Sequence, residues 1–141
     1  MKAIDTNVLV YARREELPKH TRAVALLHEL AEGQVPWGIP VFCVGEFLRV
    51  VTHRRVFNPP TPLEDALSAI DALLESPTVR LLMPGERYWT LLTDTASRAQ
   101  TTGNLVFDAQ IAAVCLEHGV EALVSEDRDF TRFQGLTVVP I

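Results

Sequence analysis

Short apolar runs alternate with longer stretches of helical period along the whole chain, and this alternation constrains the fold more than any single motif does. The runs are Lys2-Ala3-Ile4-Asp5, residues 35–40, Val79-Arg80-Leu81-Leu82, Ala122-Leu123-Val124-Ser125 and Thr137-Val138-Val139. Between the first two, Ala23, Val24, Leu27, Leu30 and Ala31 form a stripe over about residues 19–32 that Gly33 ends. Val44, Phe47, Leu48 and Val51 then fall at i, i+3, i+4 and i+7, which predicts a helix from Val41 to His53. Thr61-Pro62-Leu63-Glu64 reads as a helix start, with Thr61 as N-cap, Pro62 in the first position and Glu64 reaching back. Leu63, Ala66, Leu67, Ile70, Leu73 and Leu74 continue that helix. A further helix is predicted over about residues 85–101; Gly103-Asn104 breaks it and caps the next, which runs from Leu105 to His118 and stops at Gly119. Strands separated by helices imply a parallel sheet between helical layers, an α/β fold.

The 141 residues suit one domain, and no repeat or linker-like stretch divides them, so residues 1–141 read as a single unit. With 48% hydrophobic and 22% charged residues the chain is able to bury a core without disulfides or a structural metal. Cys43 and Cys115 lie in apolar helical contexts with no Cys or His at ligand spacing, which argues against a disulfide framework and a zinc site. No apolar run has the roughly 18–20 residues that span a membrane. The opening residues place Asp5 where a secretory signal is apolar, so the expected setting is the reduced cytoplasm. The net charge of −5 argues against coating nucleic acid by bulk positive charge. It leaves room for an enzyme that meets a polyanion through metal ions and a few arginines.

Four carboxylates stand apart from the acids on polar helix faces. Asp5 ends one apolar strand and Asp127 follows another by two residues, while Glu46 and Asp108 sit within helices among apolar neighbours. In an open parallel sheet, functional groups gather beyond the carboxyl ends of the strands where the chain order reverses. Asp5 and Asp127 meet there if the first and fourth strands are neighbours, and the helices then bring Glu46 and Asp108 to the same end. Four like charges together repel. A hard divalent cation such as Mg²⁺ or Mn²⁺, which prefers oxygen ligands, removes that penalty. Phosphodiester hydrolysis is the chemistry that uses such an arrangement, one metal acidifying the attacking water and a second stabilising the leaving oxygen. It needs no histidine base, and His20, His28, His53 and His118 show no convergent spacing.

The same residues carry a family resemblance. Asp5-Thr6-Asn7-Val8-Leu9-Val10-Tyr11-Ala12, Glu46-Phe47-Leu48-Arg49-Val50-Val51-Thr52, Asn104-Leu105-Val106-Phe107-Asp108-Ala109 and Ser125-Glu126-Asp127-Arg128-Asp129-Phe130 resemble, in order, the four motifs of PIN-domain ribonucleases. Within that family the chain is most similar to VapC toxins of bacterial toxin–antitoxin pairs. The resemblance implies a three-layer α/β/α domain with strand order 3-2-1-4-5 and a Mg²⁺-dependent endoribonuclease. It makes Asp5 and Asp108 the principal metal ligands, Glu46 the third acid and Asp127 the fourth, with Asp129 the less favoured candidate for that place. Asn7 and Ser125 match supporting polar positions. It also implies an RNA substrate, a homodimer and a VapB-type antitoxin whose tail occupies the acidic groove. Phe107 stands where close relatives often carry His, and Arg54-Arg55 replaces a commoner Pro-Arg.

Arg49 and Arg55 are the candidate RNA contacts, since arginines bind phosphates well and both follow Glu46 closely. Arg13 and Arg14 are weaker candidates, and solvated surface or pairing with a nearby Glu is the plainer reading for each. Trp37 and Trp89 are expected in the core, beside apolar residues. Other classes fit less well. A haloacid-dehalogenase phosphatase wants a second Asp where Asn7 stands; a response regulator wants a phosphoacceptor Asp after the third strand, where Met83-Pro84 follows; and the scattered glycines form no phosphate loop. The alternative is a catalytically inactive PIN-like RNA- or protein-binding module.

Overall fold

A computed structural model describes all residues from Met1 to Ile141. The elements run β1 (Lys2–Ile4), α1 (Thr6–Arg13), α2 (His20–Glu32), β2 (Trp37–Pro40), α3 (Val41–Val51), α4 (Leu63–Leu74), β3 (Val79–Leu82), α5 (Tyr88–Arg98), α6 (Leu105–Glu117), β4 (Ala122–Val124), a 3-10 turn (Arg128–Arg132) and β5 (Thr137–Val139). The strands form one parallel sheet in the order β3-β2-β1-β4-β5. Successive crossovers step outward from β1 to β3, then jump back across β1 to β4 and on to β5. Right-handed crossovers running in opposite directions put their helices on opposite faces, so α1 to α4 cover one face and α5 with α6 the other. The core of this α/β/α sandwich centres on Ile4, Trp37, Ile39, Phe47, Leu82, Ile111, Leu123 and Phe130, all fully buried. Gly38 lets β2 pack this tightly, since a Cβ there would lie 2.7 Å from Leu82 Cδ1. No helix is long and apolar enough to cross a membrane.

The order reverses at β1, which pairs with β2 on one side and β4 on the other. The β1–β4 ladder pairs Ile4 with Val124 and extends one residue further, where the Asp5 N–H donates to the Val124 carbonyl at 3.0 Å. Ser125 N–H likewise donates to Val139 O at 2.9 Å. Asp5 and Ser125 therefore leave the sheet side by side at its carboxyl end.

Several expectations are corrected. Thr61 does not cap α4: its hydroxyl accepts from Arg14 Nη1 at 3.2 Å, and Pro62 takes the cap position with no side-chain bond. Asn104 makes no side-chain cap on α6 because its own backbone is already helical (φ −65°, ψ −22°). The helix predicted over 85–101 is shorter at both ends. Glu117 accepts from the N–H groups of Gly85 and Arg87, each at 2.8 Å, which holds that segment as a loop. At the other end Gln100 turns to φ 51° and the helix closes with Thr101 N–H on Ala96 O. Trp37 is buried as expected, but Trp89 is 70% exposed, because α5 turns Leu92, Thr95 and Ala96 inward and carries Trp89 on its outer side. The periodicity does not signal the 3-10 turn, whose start is set by the Asp127 side chain accepting from Asp129 N–H.

Candidate active site

Asp5 is the most enclosed acid, 4% exposed, and caps α1 from the end of β1. Its Oδ1 accepts from Thr6 N–H at 2.7 Å, with the Cys43 thiol 3.8 Å away; its Oδ2 accepts from Asn7 Nδ2 at 2.8 Å and from the Ser125 hydroxyl at 2.7 Å. Ser125 is a junction. It donates to Asp5 while its oxygen accepts from Asn7 Nδ2 at 3.1 Å and from Asp127 N–H at 2.9 Å. Burial pushes the Asp5 carboxyl up to about 6; the Ser125 and Thr6 hydrogen bonds oppose this, and the charges of Glu46 and Asp127 add to it.

Asp108 lies in the first turn of α6, where the helix dipole favours an anion. Even so, its carboxyl is pushed up to about 7, by burial first and then by the charges of Asp127, Asp5, Glu46 and Asp129. Glu46, halfway along α3, is partly exposed; its Oε2 accepts from the Thr6 hydroxyl at 2.8 Å and its Oε1 lies 3.6 Å from Arg49 Nη2. Asp127 is exposed at the start of the 3-10 turn. Single oxygens of Asp108, Asp127 and Asp129 come within 4.8 Å of one another, so Asp129 joins this group even though Arg132 Nε lies 3.5 Å from it.

The structure thus gathers Asp5, Glu46, Asp108 and Asp127 into one electrostatic cluster, with Asn7 and Ser125 inside it and Asp129 at its edge. These are oxygen donors of like charge from four distant segments, and burial with mutual repulsion already lifts two of them out of the usual carboxylate range. That is the donor set a hard divalent cation takes. Thr6 is the residue that sequence reasoning passes over: a hydroxyl beside the first acid is visible there, but its partner 40 positions away is not.

The arginines separate into two kinds. Arg14 is committed to the fold, bonding Glu16 (Nε, 2.8 Å), Thr61 and the Pro59 carbonyl (Nη2, 3.0 Å), with its guanidinium 4.3 Å above the Phe57 ring. Arg13 pairs with Asp65 at 3.6 Å. Arg49 reaches Glu46, and Arg55 lies exposed on the turn after α3 with no ion pair. Phe107 is 62% exposed beside Asp108. A concavity of about 370 Å³ lies among Leu9, Val24, Leu27, Phe47, Ile70 and Leu73; its lining is mainly apolar, with Arg13 and His28 the polar exceptions, and none of the clustered acids lines it.

A PIN domain family model matches residues 2–136. Among curated proteins, the chain is 45% identical over 136 residues to VapC ribonuclease Mb2897 of Mycobacterium bovis, covering 96% of this chain and 92% of that one. It is 36% identical to ribonuclease VapC25 of Mycobacterium tuberculosis, over 96% of this chain and 95% of the relative. Among solved structures, the VapBC2 complex of Rickettsia felis bound to a promoter DNA fragment matches with a TM-score of 0.69 at 17% identity, over 99% of this chain and 97% of the matched one. The sarcin-ricin loop cleaving toxin VapC20 of Mycobacterium tuberculosis matches with a TM-score of 0.68 at 17% identity, over 93% of each chain.

Proposed function

The chain belongs to the PIN-domain family, and from that membership we propose that it is a divalent-metal-dependent endoribonuclease, the toxin of a VapBC toxin–antitoxin pair. Relatives named as VapC ribonucleases, at up to 45% identity over nearly the full chain, support the reaction class. The observation that carries the assignment to this chain's own residues is their convergence beyond the carboxyl ends of β1 and β4: Thr6 bonds both Asp5 and Glu46, Ser125 bonds both Asp5 and the Asp127 amide, and Asp127 and Asp108 bring oxygens within 4.8 Å of each other.

In this reading Asp5, Glu46, Asp108 and Asp127 hold Mg²⁺, with Mn²⁺ able to replace it and Asp129 close enough to assist. When bound, the cation supplies an acidified water and neutralises charge at the scissile phosphate. The protein residues provide the order. Asn7 and Ser125 fix one oxygen of Asp5 and the Thr6 amide the other, so the carboxylate keeps one orientation. The Asp108 carboxylate accepts no hydrogen bond from the protein, which leaves both its oxygens free for a ligand. Arg49 and Arg55 hold the RNA backbone beside the acids, offsetting their repulsion of phosphate.

A VapB-type antitoxin is the proposed inhibitor, supported by the VapBC complexes among the structural neighbours; a homodimer is the proposed assembly. The deciding experiment is RNA cleavage by purified protein with Mg²⁺, with EDTA, and with Asp5→Asn. Cleavage that needs the metal and is lost in Asp5→Asn is expected. Specific RNA binding with no cleavage in any metal identifies instead an inactive RNA-binding module.

A further inference from the structure

Thr6 touches two of the clustered acids at once. It is the first residue of α1 and 7% exposed. Its amide donates to Asp5 Oδ1 at 2.7 Å while its hydroxyl donates to Glu46 Oε2 at 2.8 Å. Nothing in helix formation calls for that hydroxyl, since the cap of α1 is made by Asp5. It is spent on a residue 40 positions away, on another helix.

Glu46 needs such a partner more than the other acids do. Its side chain is long, 42% exposed and close enough to Asp5 and Asp108 for the three charges to repel. The only cation near it, Arg49 one turn further along α3, lies 3.6 Å from Oε1 and competes for the carboxylate. Without a donor on Oε2, repulsion from the other acids and attraction to Arg49 both act to turn Glu46 out of the cluster. The Thr6 hydroxyl opposes both. A hydrogen bond to a charged carboxylate is among the stronger kinds and is directional, so it selects one rotamer of a flexible side chain.

We infer that Thr6 is a positioning residue for the metal site, holding Glu46 toward the ion through its hydroxyl and Asp5 through its amide. The inference rests on the metal-dependent nuclease reading and deepens it. Substitutions of residues that orient metal ligands typically weaken metal binding by about 10- to 100-fold, and that is the range expected for Thr6→Val, which keeps the shape and removes the donor.

The test measures Mn²⁺ binding to the purified chain by electron paramagnetic resonance and calorimetry, with thermal melting to confirm that each variant folds. Thr6→Val is expected to weaken Mn²⁺ binding about tenfold or more, and Thr6→Ser to restore it. Thr6→Ala, which lacks the donor and adds no bulk, serves if the valine variant melts early. In a Glu46→Ala background, Thr6→Val is expected to cost nothing further. In cleavage assays the Thr6→Val defect is expected to shrink as Mg²⁺ is raised, since the site is loosened and not removed. Wild-type affinity in both Thr6→Val and Thr6→Ala overturns the inference, as does an equal loss with Glu46 absent. A wild-type chain that binds no Mn²⁺ overturns the metal reading itself, a result distinct from either.

Discussion

The Ser125 hydroxyl donates to the Asp5 carboxylate across 2.7 Å, joining residues 120 positions apart in the chain. The contact exists because β1 and β4 are neighbours in register, so that both residues leave the sheet at the same level. The first and last motifs thereby become one site, whose behaviour depends on that junction and on the charges around it.

Ser125→Ala removes a donor from Asp5 and an acceptor from both Asn7 and the Asp127 amide. Metal-dependent cleavage is expected to fall about 10- to 100-fold. Stability is expected to fall by about 1–3 kcal/mol, the cost of leaving buried polar groups unpaired. Single-turnover RNA cleavage and urea unfolding measure the two effects. Full activity in Ser125→Ala removes Ser125 from the supporting set.

Asp108→Asn is expected to stabilise the metal-free chain while abolishing cleavage. Its carboxyl is held up to about 7 by burial and four like charges, so a neutral amide of the same shape relieves repulsion. A rise of a few degrees in melting temperature in EDTA corresponds to roughly 1 kcal/mol for a domain of this size. A lower melting temperature contradicts the account of the site as electrostatically strained.

The pH dependence has a definite sign. Asp5 at about 6 and Asp108 at about 7 both lie above the ordinary carboxyl value of 3.8 in the folded chain. Over that interval the folded chain keeps protons that the unfolded chain has released. Their contribution to stability is complete below the unfolded value and is lost as pH rises through about 6 and about 7. For Asp5 the full effect is at most about 3 kcal/mol. Glu126, held low by Lys19, acts in the opposite direction, so the comparison is wild type against Asp5→Asn in EDTA. The wild-type disadvantage is expected to shrink as pH is lowered from 8 to 5. Mn²⁺, whose ligands must be deprotonated, is expected to stabilise most at the upper end.

Arg49 and Arg55 differ from Arg14 in what their loss should do. In an Asp5→Asn background, Arg49→Ala or Arg55→Ala is expected to weaken RNA binding and to lower the salt dependence by about 0.7 for each phosphate left without its arginine. The melting temperature is expected to stay near that of the parent. Arg14→Ala is expected to destabilise the fold by about 1–3 kcal/mol, since Thr61, Pro59 and the Phe57 ring all lose their partner. Filter binding across a salt series, with melting curves, distinguishes the two behaviours.

Much of this molecule is written in local pattern. Val79–Leu82 is the expected strand residue for residue, and α2, α3 and α6 fall within two residues of their predicted bounds, since apolar spacing and the breaks at Gly33 and Gly119 report burial directly. The acids are legible for a similar reason: a carboxylate at the end of an apolar strand, or inside an apolar helix, contradicts its surroundings. Side-chain partnerships are not legible in that way. Thr61 has every local mark of an N-cap, yet Arg14 takes its hydroxyl; Trp89 has apolar neighbours, yet α5 turns it outward.

Periodicity and composition alone therefore determined the class of fold, most of the helix and strand positions and which carboxylates are out of place, because each depends on the order of residues along the chain. The tertiary structure alone decided that Asp129 stands with Asp108, that Thr6 grips Glu46 and that Ser125 closes on Asp5. Hydrogen bonds and charge repulsion act over a few ångströms of space, and that proximity exists only once the strand crossovers have brought distant segments to one end of the sheet.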